Sequence, residues 1–185
     1  CKYSQSSTVA RVGPRGIEVL RKGAYSSTDL QRMASMRFLF VCTGNTCRSA
    51  MAEGLFRAAL AKKIGCSVDE LEQRGYKVRS AGTMDVVGVP ASDGALTACR
   101  LKGVDITSHR SQHLTRSLVE ESDVVFCMTW AHCEHVRFLS PDAGTKCFLL
   151  ADDAEIPDRQ PQEYFNRCAD VIQAAIAARL GELEI

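Results

Sequence analysis

The sequence predicts a three-layer α/β/α fold around a central four-stranded parallel sheet, and three observations support this prediction. Short apolar segments alternate with amphipathic helical segments along residues 36–185, as in parallel sheets covered on both faces. The first apolar segment, Phe38–Val41, is continuous, which is typical of a strand buried on both sides. A short polar loop separates it from a helical pattern over Ala50–Lys63. We therefore expect a ligand site at the carboxyl ends of the strands.

Apolar spacing and turn residues predict the remaining elements. Ser92 is a good helix N-cap, while Gly103 and Gly181 are typical residues at which a helix stops. The expected strands are Tyr76–Thr83, Asp123–Met128 and Lys146–Leu150, and the expected helices are Ala91–Lys102, Leu114–Glu121, Trp130–Leu139 and Gln162–Leu180, with a short helix and turn within Cys66–Gly75.

Residues 1–35 have a different pattern. Ser7–Val12 and Ile17–Arg21 flank a Gly-Pro-Arg-Gly turn, which predicts a β-hairpin. The hairpin, with Arg21–Ala24, resembles the end of a threonylcarbamoyl-AMP synthase domain. This resemblance implies the tail of an upstream domain, joined through residues 26–35 to a catalytic domain over residues 36–185. A disordered N-terminal extension is the alternative, and the sequence leaves both interpretations open.

The loop Cys42–Ser49, which we call the phosphate loop, has the chemistry of an anion site. Backbone N–H groups at a helix start lack intrahelical partners, and the helix dipole adds positive potential there. Gly44 and Asn45 tolerate left-handed backbone angles, so the loop amides can turn inward. Arg48 offers a rigid fork of donors that matches two phosphoryl oxygens. The same positive field favours a nucleophilic thiolate at Cys42, to whose sulfur the Ser49 hydroxyl can donate.

The segment from Val41 to Ser49, Val-Cys-Thr-Gly-Asn-Thr-Cys-Arg-Ser, followed by Met51-Ala52-Glu53, resembles the signature of the low-molecular-weight protein tyrosine phosphatases. That family includes the bacterial protein arginine phosphatases, and the resemblance covers residues 36 to about 183. It implies a cysteine-dependent phosphatase that hydrolyses phosphoarginine or phosphotyrosine through a phosphocysteine intermediate, without a cofactor. Cys42 and Arg48 would be catalytic, Ser80 would support Asn45, and phosphate would bind to Thr43, Gly44, Asn45, Thr46, Cys47 and Ser49.

The resemblance also implies a general acid in the loop before the last helix. Relatives carry an aspartate there, often after isoleucine and proline, and Ile156-Pro157-Asp158 places Asp158 in that position. Asp158 is followed by Arg159, where relatives have proline, so Asp153 stays open as the alternative acid. A catalytically weak phosphate-binding regulatory module and an arsenate reductase-like enzyme on the same fold are the alternative functions.

Two loop residues carry further expectations. Thr46 occupies a position where arginine phosphatases have threonine and tyrosine phosphatases commonly have an aliphatic residue, which favours phosphoarginine. Arg159 stands where tyrosine phosphatases usually place an aromatic residue, yet its charge would repel a guanidinium group. Cys47 is close enough in sequence to Cys42 to capture an oxidised nucleophile as a protective disulfide.

Composition narrows the setting and the partners. The net charge of +1 argues against nucleic-acid or anionic-membrane binding, and no apolar stretch approaches the roughly 20 residues that span a bilayer. The nine cysteines are odd in number and several lie in apolar segments, which favours reduced thiols in a cytoplasmic protein. A phosphorylated protein is the expected partner, and the oligomeric state is not determined. His132, Cys133 and His135, with Cys127 nearby, raise the alternative of a zinc site. The spacing points the side chains around a helix, so we interpret them as surface histidines and a buried thiol, without a metal.

Overall fold

The computed structural model describes residues 6–13, 16–151 and 162–182. Short 3-10 helices lie at Val68–Glu70 and Pro141–Thr145. The strands in these ranges are β1 (Val9–Gly13), β2 (Gly16–Arg21), β3 (Met36–Cys42), β4 (Tyr76–Gly82), β5 (Val124–Cys127) and β6 (Cys147–Leu149). The α-helices are α1 (Ser27–Met33), α2 (Arg48–Ile64), α3 (Asp93–Leu101), α4 (Arg116–Glu121), α5 (Trp130–Leu139) and α6 (Gln162–Glu182).

Four parallel strands form the central sheet in the order β4-β3-β5-β6. Strand β3 is internal, and its last residue, Cys42, is in register with Gly82 at the end of β4. Val41 is likewise in register with Cys127 at the end of β5. The carboxyl ends of these three strands therefore meet at one edge, and the predicted fold class is confirmed.

Side chains of β3 alternate between the two faces of the sheet, as expected for a strand with a period of two. Phe38 and Phe40 pack on Phe56 of α2, with ring centroids 4.7 and 5.2 Å apart, in a core that α3 and α6 complete. Leu39 and Val41 contribute to a second apolar cluster on the opposite face, beneath α4 and α5. Cys42 belongs to the first face, so its side chain projects toward the start of α2.

Two features of the structure differ from the predictions. The segment 26–35, expected as a connection, contains helix α1, which begins with a capping box between Ser26 and Asp29. Helix α6 continues through Gly181 to Glu182, so the predicted stop at Gly181 is wrong. A Cβ built on Gly181 would lie within 4 Å of no other atom. Leu180, one residue earlier, is buried and keeps the last turn packed.

The other expected elements lie within one to a few residues of their predicted bounds, and the N-terminal hairpin is confirmed by the antiparallel pairing of β1 with β2. Ser92 caps α3 by accepting a hydrogen bond from the Ala95 N–H, as predicted. Across the described part of the chain, no helix combines the length and apolar character required to cross a bilayer.

Candidate active site

The phosphate loop joins β3 to α2 at the edge where the strand ends meet. Cys42 closes the strand and Arg48 is the first residue of the helix, so strand, loop and helix follow in the predicted order. The side chains at the base of the loop are withdrawn from solvent: Cys42 is 2% exposed, Arg48 4%, and Asn45 and Ser49 0%. Charged and nucleophilic groups are thus held in a setting where water screens their interactions weakly.

Neighbouring segments fix the direction of the loop carbonyl groups. Four carbonyl oxygens accept hydrogen bonds from outside the loop: Cys42 from the Thr83 N–H at 2.9 Å, Thr43 from the Met84 N–H at 2.9 Å, Asn45 from His109 Nε2 at 2.6 Å, and Thr46 from the Ser92 N–H at 2.9 Å. Peptide N–H and C=O groups point in opposite directions, so these contacts favour amides that face the loop interior. The Asn45 N–H donates to Cys42 Sγ at 3.3 Å.

Asn45 in the loop and Gly82 beside it occupy backbone positions that few other residues fit. Asn45 has a φ of 53°, in the left-handed region that asparagine tolerates better than most residues. At the end of β4, a Cβ on Gly82 would lie 2.7 Å from the Thr43 carbonyl oxygen and 3.0 Å from the Asn45 nitrogen. A side chain at position 82 would therefore push the loop away from the strand, and glycine permits the close approach.

The Asn45 side chain has one possible orientation. Its Oδ1 accepts from the Gln112 N–H at 2.8 Å, and a backbone amide can only donate. Nδ2 must therefore face Ser80 Oγ at 2.8 Å and Ser49 Oγ at 2.9 Å. Because Ser49 accepts from Asn45, its own hydrogen is available for Cys42 Sγ, which lies 2.9 Å away. The contact between Asn45 and Ser80 that the resemblance implied is thus present.

Glu53, which the sequence analysis named only within the family signature, extends this network. Ser80 Oγ donates to Glu53 Oε2 at 2.5 Å, and His109 Nδ1 lies 3.9 Å from the same oxygen. Burial raises the pKa of Glu53, against the opposing effects of the Ser80 hydrogen bond and the charges of His109, Arg57 and Arg79. The i,i+4 spacing from Ser49 is the signal that could have placed Glu53 beneath the phosphate loop.

A second contact set lies on the other side of the loop. Arg48 Nη2 donates to Thr43 Oγ1 at 3.2 Å, and Thr43 Oγ1 also lies 3.0 Å from His132 Nε2. His132 Nδ1 in turn lies 2.9 Å from Thr129 Oγ1. The expectation of a surface histidine at position 132 is wrong, since His132 is 5% exposed. It was missed because the spacing along α5 does not show that its N-terminal end reaches the loop.

Two candidate residues of the phosphate loop are partly exposed, and three candidates near the last helix lie outside the described residues. Thr46 and Cys47 lie at the partly exposed side of the loop, where Cys47 Sγ is 3.1 Å from Ser92 Oγ. Asp158 and the alternative Asp153 lie outside the described residues, as does Arg159. The assignment of the general acid therefore stays a prediction. His109 and Gln112, which support Asn45, were not identified as site residues from the sequence.

A loop between strand and helix, with a buried cysteine at its base, an amide directed at that sulfur and an arginine at the helix start, is typical of a cysteine-based phosphate-handling site. The family model for low molecular weight phosphotyrosine protein phosphatase matches residues 37–184. Similarity extends to the low molecular weight protein-tyrosine-phosphatase Etp of Escherichia coli K12, at 30% identity over 77% of this chain and 93% of Etp.

A protein-arginine-phosphatase of Bacillus subtilis is 40% identical over 63% of this chain and 71% of its own length. Among solved structures, a mutant of the YwlE arginine phosphatase with a phosphorylated active-site serine has a TM-score of 0.70 and 28% identity, over 80% of this chain and 96% of YwlE. The chain belongs to the low molecular weight phosphotyrosine protein phosphatase family. The predictions of family, fold and class of enzyme, a cysteine-dependent protein phosphatase, are confirmed.

The raised pKa of Glu53 leads to a prediction about stability and pH. A folded-state pKa above the ordinary value of 4.5 means that the folded protein binds more protons in the window above pH 4.5. The free energy of unfolding contributed by Glu53 therefore falls as pH rises through that window. In Glu53→Gln this contribution is absent, so the stability of wild type relative to the variant should decline from pH 4.5 upward, as measured by urea unfolding.

Glu70→Gln is the matched control. Hydrogen bonds from the Ser67 N–H and hydroxyl lower the pKa of Glu70, so its contribution has the opposite sign and is lost as pH falls. A flat difference between wild type and Glu53→Gln over this pH range would contradict the raised pKa.

Proposed function

We propose that residues 36–185 form a catalytic domain in which the Cys42 thiolate attacks a phosphoryl group held by Arg48 and the phosphate-loop amides. The observation that carries the proposal is the arrangement around Cys42 Sγ, which receives the Asn45 N–H at 3.3 Å and lies 2.9 Å from the Ser49 hydroxyl. These groups stabilise a sulfur that carries negative charge and ease its departure from the phosphocysteine.

The first step transfers the phosphoryl group from substrate to sulfur. The phosphoryl oxygens enter a site of positive potential, which the loop amides and Arg48 supply. Asp158 donates a proton to the leaving atom of the substrate. In the second step the same carboxylate removes a proton from water, which attacks phosphorus and releases inorganic phosphate and the free thiolate.

The substrates we propose are phosphorylated cytoplasmic proteins, with phosphoarginine preferred to phosphotyrosine. Relatives named for each activity are similar to this chain, so family membership alone does not separate the two. The residue that supports phosphoarginine is Thr46, whose side chain lies on the partly exposed side of the loop, where the group bearing the phosphate must enter. Residues 1–35 are, in this proposal, a separate N-terminal extension without a role in the reaction.

Replacement of the nucleophile tests the reaction itself. We expect Cys42→Ser to lose hydrolysis of para-nitrophenyl phosphate by several orders of magnitude, while wild type keeps full activity with a metal chelator present. Acid quenching of wild type during turnover should trap phosphate on Cys42, detected by mass spectrometry of the peptide. Cys66→Ser is the control, since Cys66 lies beyond the end of α2. Failure to trap phosphocysteine would instead favour a phosphate-binding regulatory module.

A pair of variants tests the general acid. Asp158→Asn should lower kcat by about 10²–10⁴-fold and remove the basic limb of the pH–rate profile, because no group then protonates the leaving atom. Asp153→Asn should leave both nearly unchanged. The reverse pattern would transfer the acid role to Asp153.

Position 46 tests the choice of substrate. In Thr46→Ile we expect kcat/KM to shift from phosphoarginine toward phosphotyrosine peptides by about tenfold or more, because the larger aliphatic side chain narrows the entry and removes the hydroxyl. Thr46→Val is the matched control that removes the hydroxyl at nearly constant volume. A parallel change of both substrates in Thr46→Ile would exclude a role for this residue in specificity.

A further inference from the structure

Three cysteine side chains converge on the face of the sheet away from Cys42. Cys127 ends β5, Cys147 begins β6, and Cys133 lies on α5 above them. Their sulfur atoms all lie within 4.8 Å of one another, and Cys127 Sγ and Cys147 Sγ are 3.7 Å apart. We call this group the thiol cluster. None of the three forms a disulfide in the structure.

The fold explains why these residues meet although they are distant in sequence. Strands β5 and β6 pair in parallel, with Cys147 in register with Val125 and Leu149 with Cys127. Helix α5 packs across this pair and brings Cys133 down onto it. The sequence spacing of His132, Cys133 and His135 gave no sign of such a site, because two of its members come from strands.

The surroundings of the thiol cluster are apolar. Cys127 and Cys133 are 0% exposed and Cys147 is 3% exposed. They belong to the apolar cluster of the second face, with Val41, Leu149 and other aliphatic side chains. Among the described residues, no histidine nitrogen or carboxylate oxygen joins the three sulfurs as a further member of the group. The donor set is therefore three sulfurs in an apolar, low-dielectric core.

The three thiols interact with one another through hydrogen bonds. The hydrogen bonds from Cys127 and Cys147, together with the charges of Arg137 and His132, lower the pKa of Cys133. The pKa of Cys127 is raised by its hydrogen bonds with the other two thiols and by burial. The convergence of the three sulfurs does not depend on these shifts, and it allows all three to bond to one thiophilic centre.

Donor number and charge restrict what the thiol cluster can hold. Sulfur donors select soft ions, and structural zinc sites take four ligands, one more than the cluster supplies. A divalent ion on three thiolates would leave one negative charge in an apolar core, and monovalent copper would leave two, at a high desolvation cost. A trivalent centre with three thiolates is neutral and needs no fourth ligand.

We propose that the thiol cluster binds one trivalent thiophilic metalloid, arsenic(III) or antimony(III), as a three-sulfur complex. Starting from arsenous acid, As(OH)₃, three As–S bonds replace three As–O bonds. Each hydroxide leaves as water with the proton of one cysteine thiol. Arsenic stays trivalent and sulfur keeps its oxidation state, so no oxidant or reductant is required.

Entry to the thiol cluster is available through the edge of the sheet. Strand β6 is the outermost strand, and it spans three residues beginning with Cys147. Short edge strands open locally at a lower free energy than central ones such as β3. Binding should therefore be slow compared with diffusion and limited by this local opening.

Arsenite titration of the full chain tests the proposal. We expect one arsenic per chain by native mass spectrometry, with three sulfur neighbours by X-ray absorption, and a higher thermal unfolding temperature in the bound protein. Cys133→Ser and Cys147→Ser should each weaken arsenite binding about 100-fold or more, because the chelate advantage of three linked donors is lost. Cys99→Ser, a buried cysteine on the other face, is the matched control and should bind like wild type.

Binding elsewhere or by other ions would overturn the proposal. Arsenic retained in both Cys133→Ser and Cys147→Ser, lost in a Cys42→Ser/Cys47→Ser double variant, or coordinated by two sulfurs would place it outside the thiol cluster. Zinc bound in competition with a chromophoric chelator, without arsenite binding, would exclude the trivalent assignment. Far-UV circular dichroism checks the fold of each variant. If Cys133→Ser fails to fold, Cys147→Ser and the sulfur count in wild type decide.

Discussion

The active site depends on how the carbonyl groups of the phosphate loop are held. A loop of eight residues could adopt many conformations, and most would present carbonyl oxygens as well as amides to an anion. Here the oxygens of Cys42, Thr43, Asn45 and Thr46 each accept a hydrogen bond from a donor outside the loop. Since these donors lie on the segments after β4 and on the loop after α3, the sheet and its connections determine the direction of the amides. The anion site is therefore a property of the whole strand-end edge.

The buried polar network beneath the loop has a related function. Asn45, Ser80, Ser49 and Glu53 are linked by hydrogen bonds, and the Gln112 amide fixes the direction of the chain of donors. Without that amide, the Asn45 side chain could rotate and turn its oxygen toward Ser49, which would then need its hydrogen for Asn45 and not for Cys42. One backbone N–H thus determines whether Cys42 Sγ receives a hydrogen bond from Ser49. The same network includes the buried carboxyl group of Glu53, whose pKa is raised by burial.

The sequence was sufficient for the sheet and the phosphate loop, because each is encoded locally, whereas Ser80 was expected only through the family resemblance. Phe38–Val41 is a continuous apolar segment, and the loop that follows carries its own glycine, asparagine and arginine. His109, Gln112 and His132 could not be found in this way. Their partners, Asn45 and Thr43, lie more than sixty residues away in the chain, and no local pattern encodes a contact at that distance. Cys127, Cys133 and Cys147 were missed as a group because they lie on two strands and a helix, whose packing no local pattern encodes.

Helix α5 links the two faces of the molecule. Consecutive residues on a helix point about 100° apart, so His132 and Cys133 face different neighbours. His132 Nε2 contacts Thr43 Oγ1, which also accepts a hydrogen bond from Arg48. Cys133 packs against the sulfurs of Cys127 and Cys147. Because Val41, next to the end of β3, is in register with Cys127 at the end of β5, the two contact sets share the same backbone supports. The position of α5 over β5 and β6 therefore cannot change without altering the contacts of Thr43, and through them the placement of the Arg48 guanidinium at the start of α2.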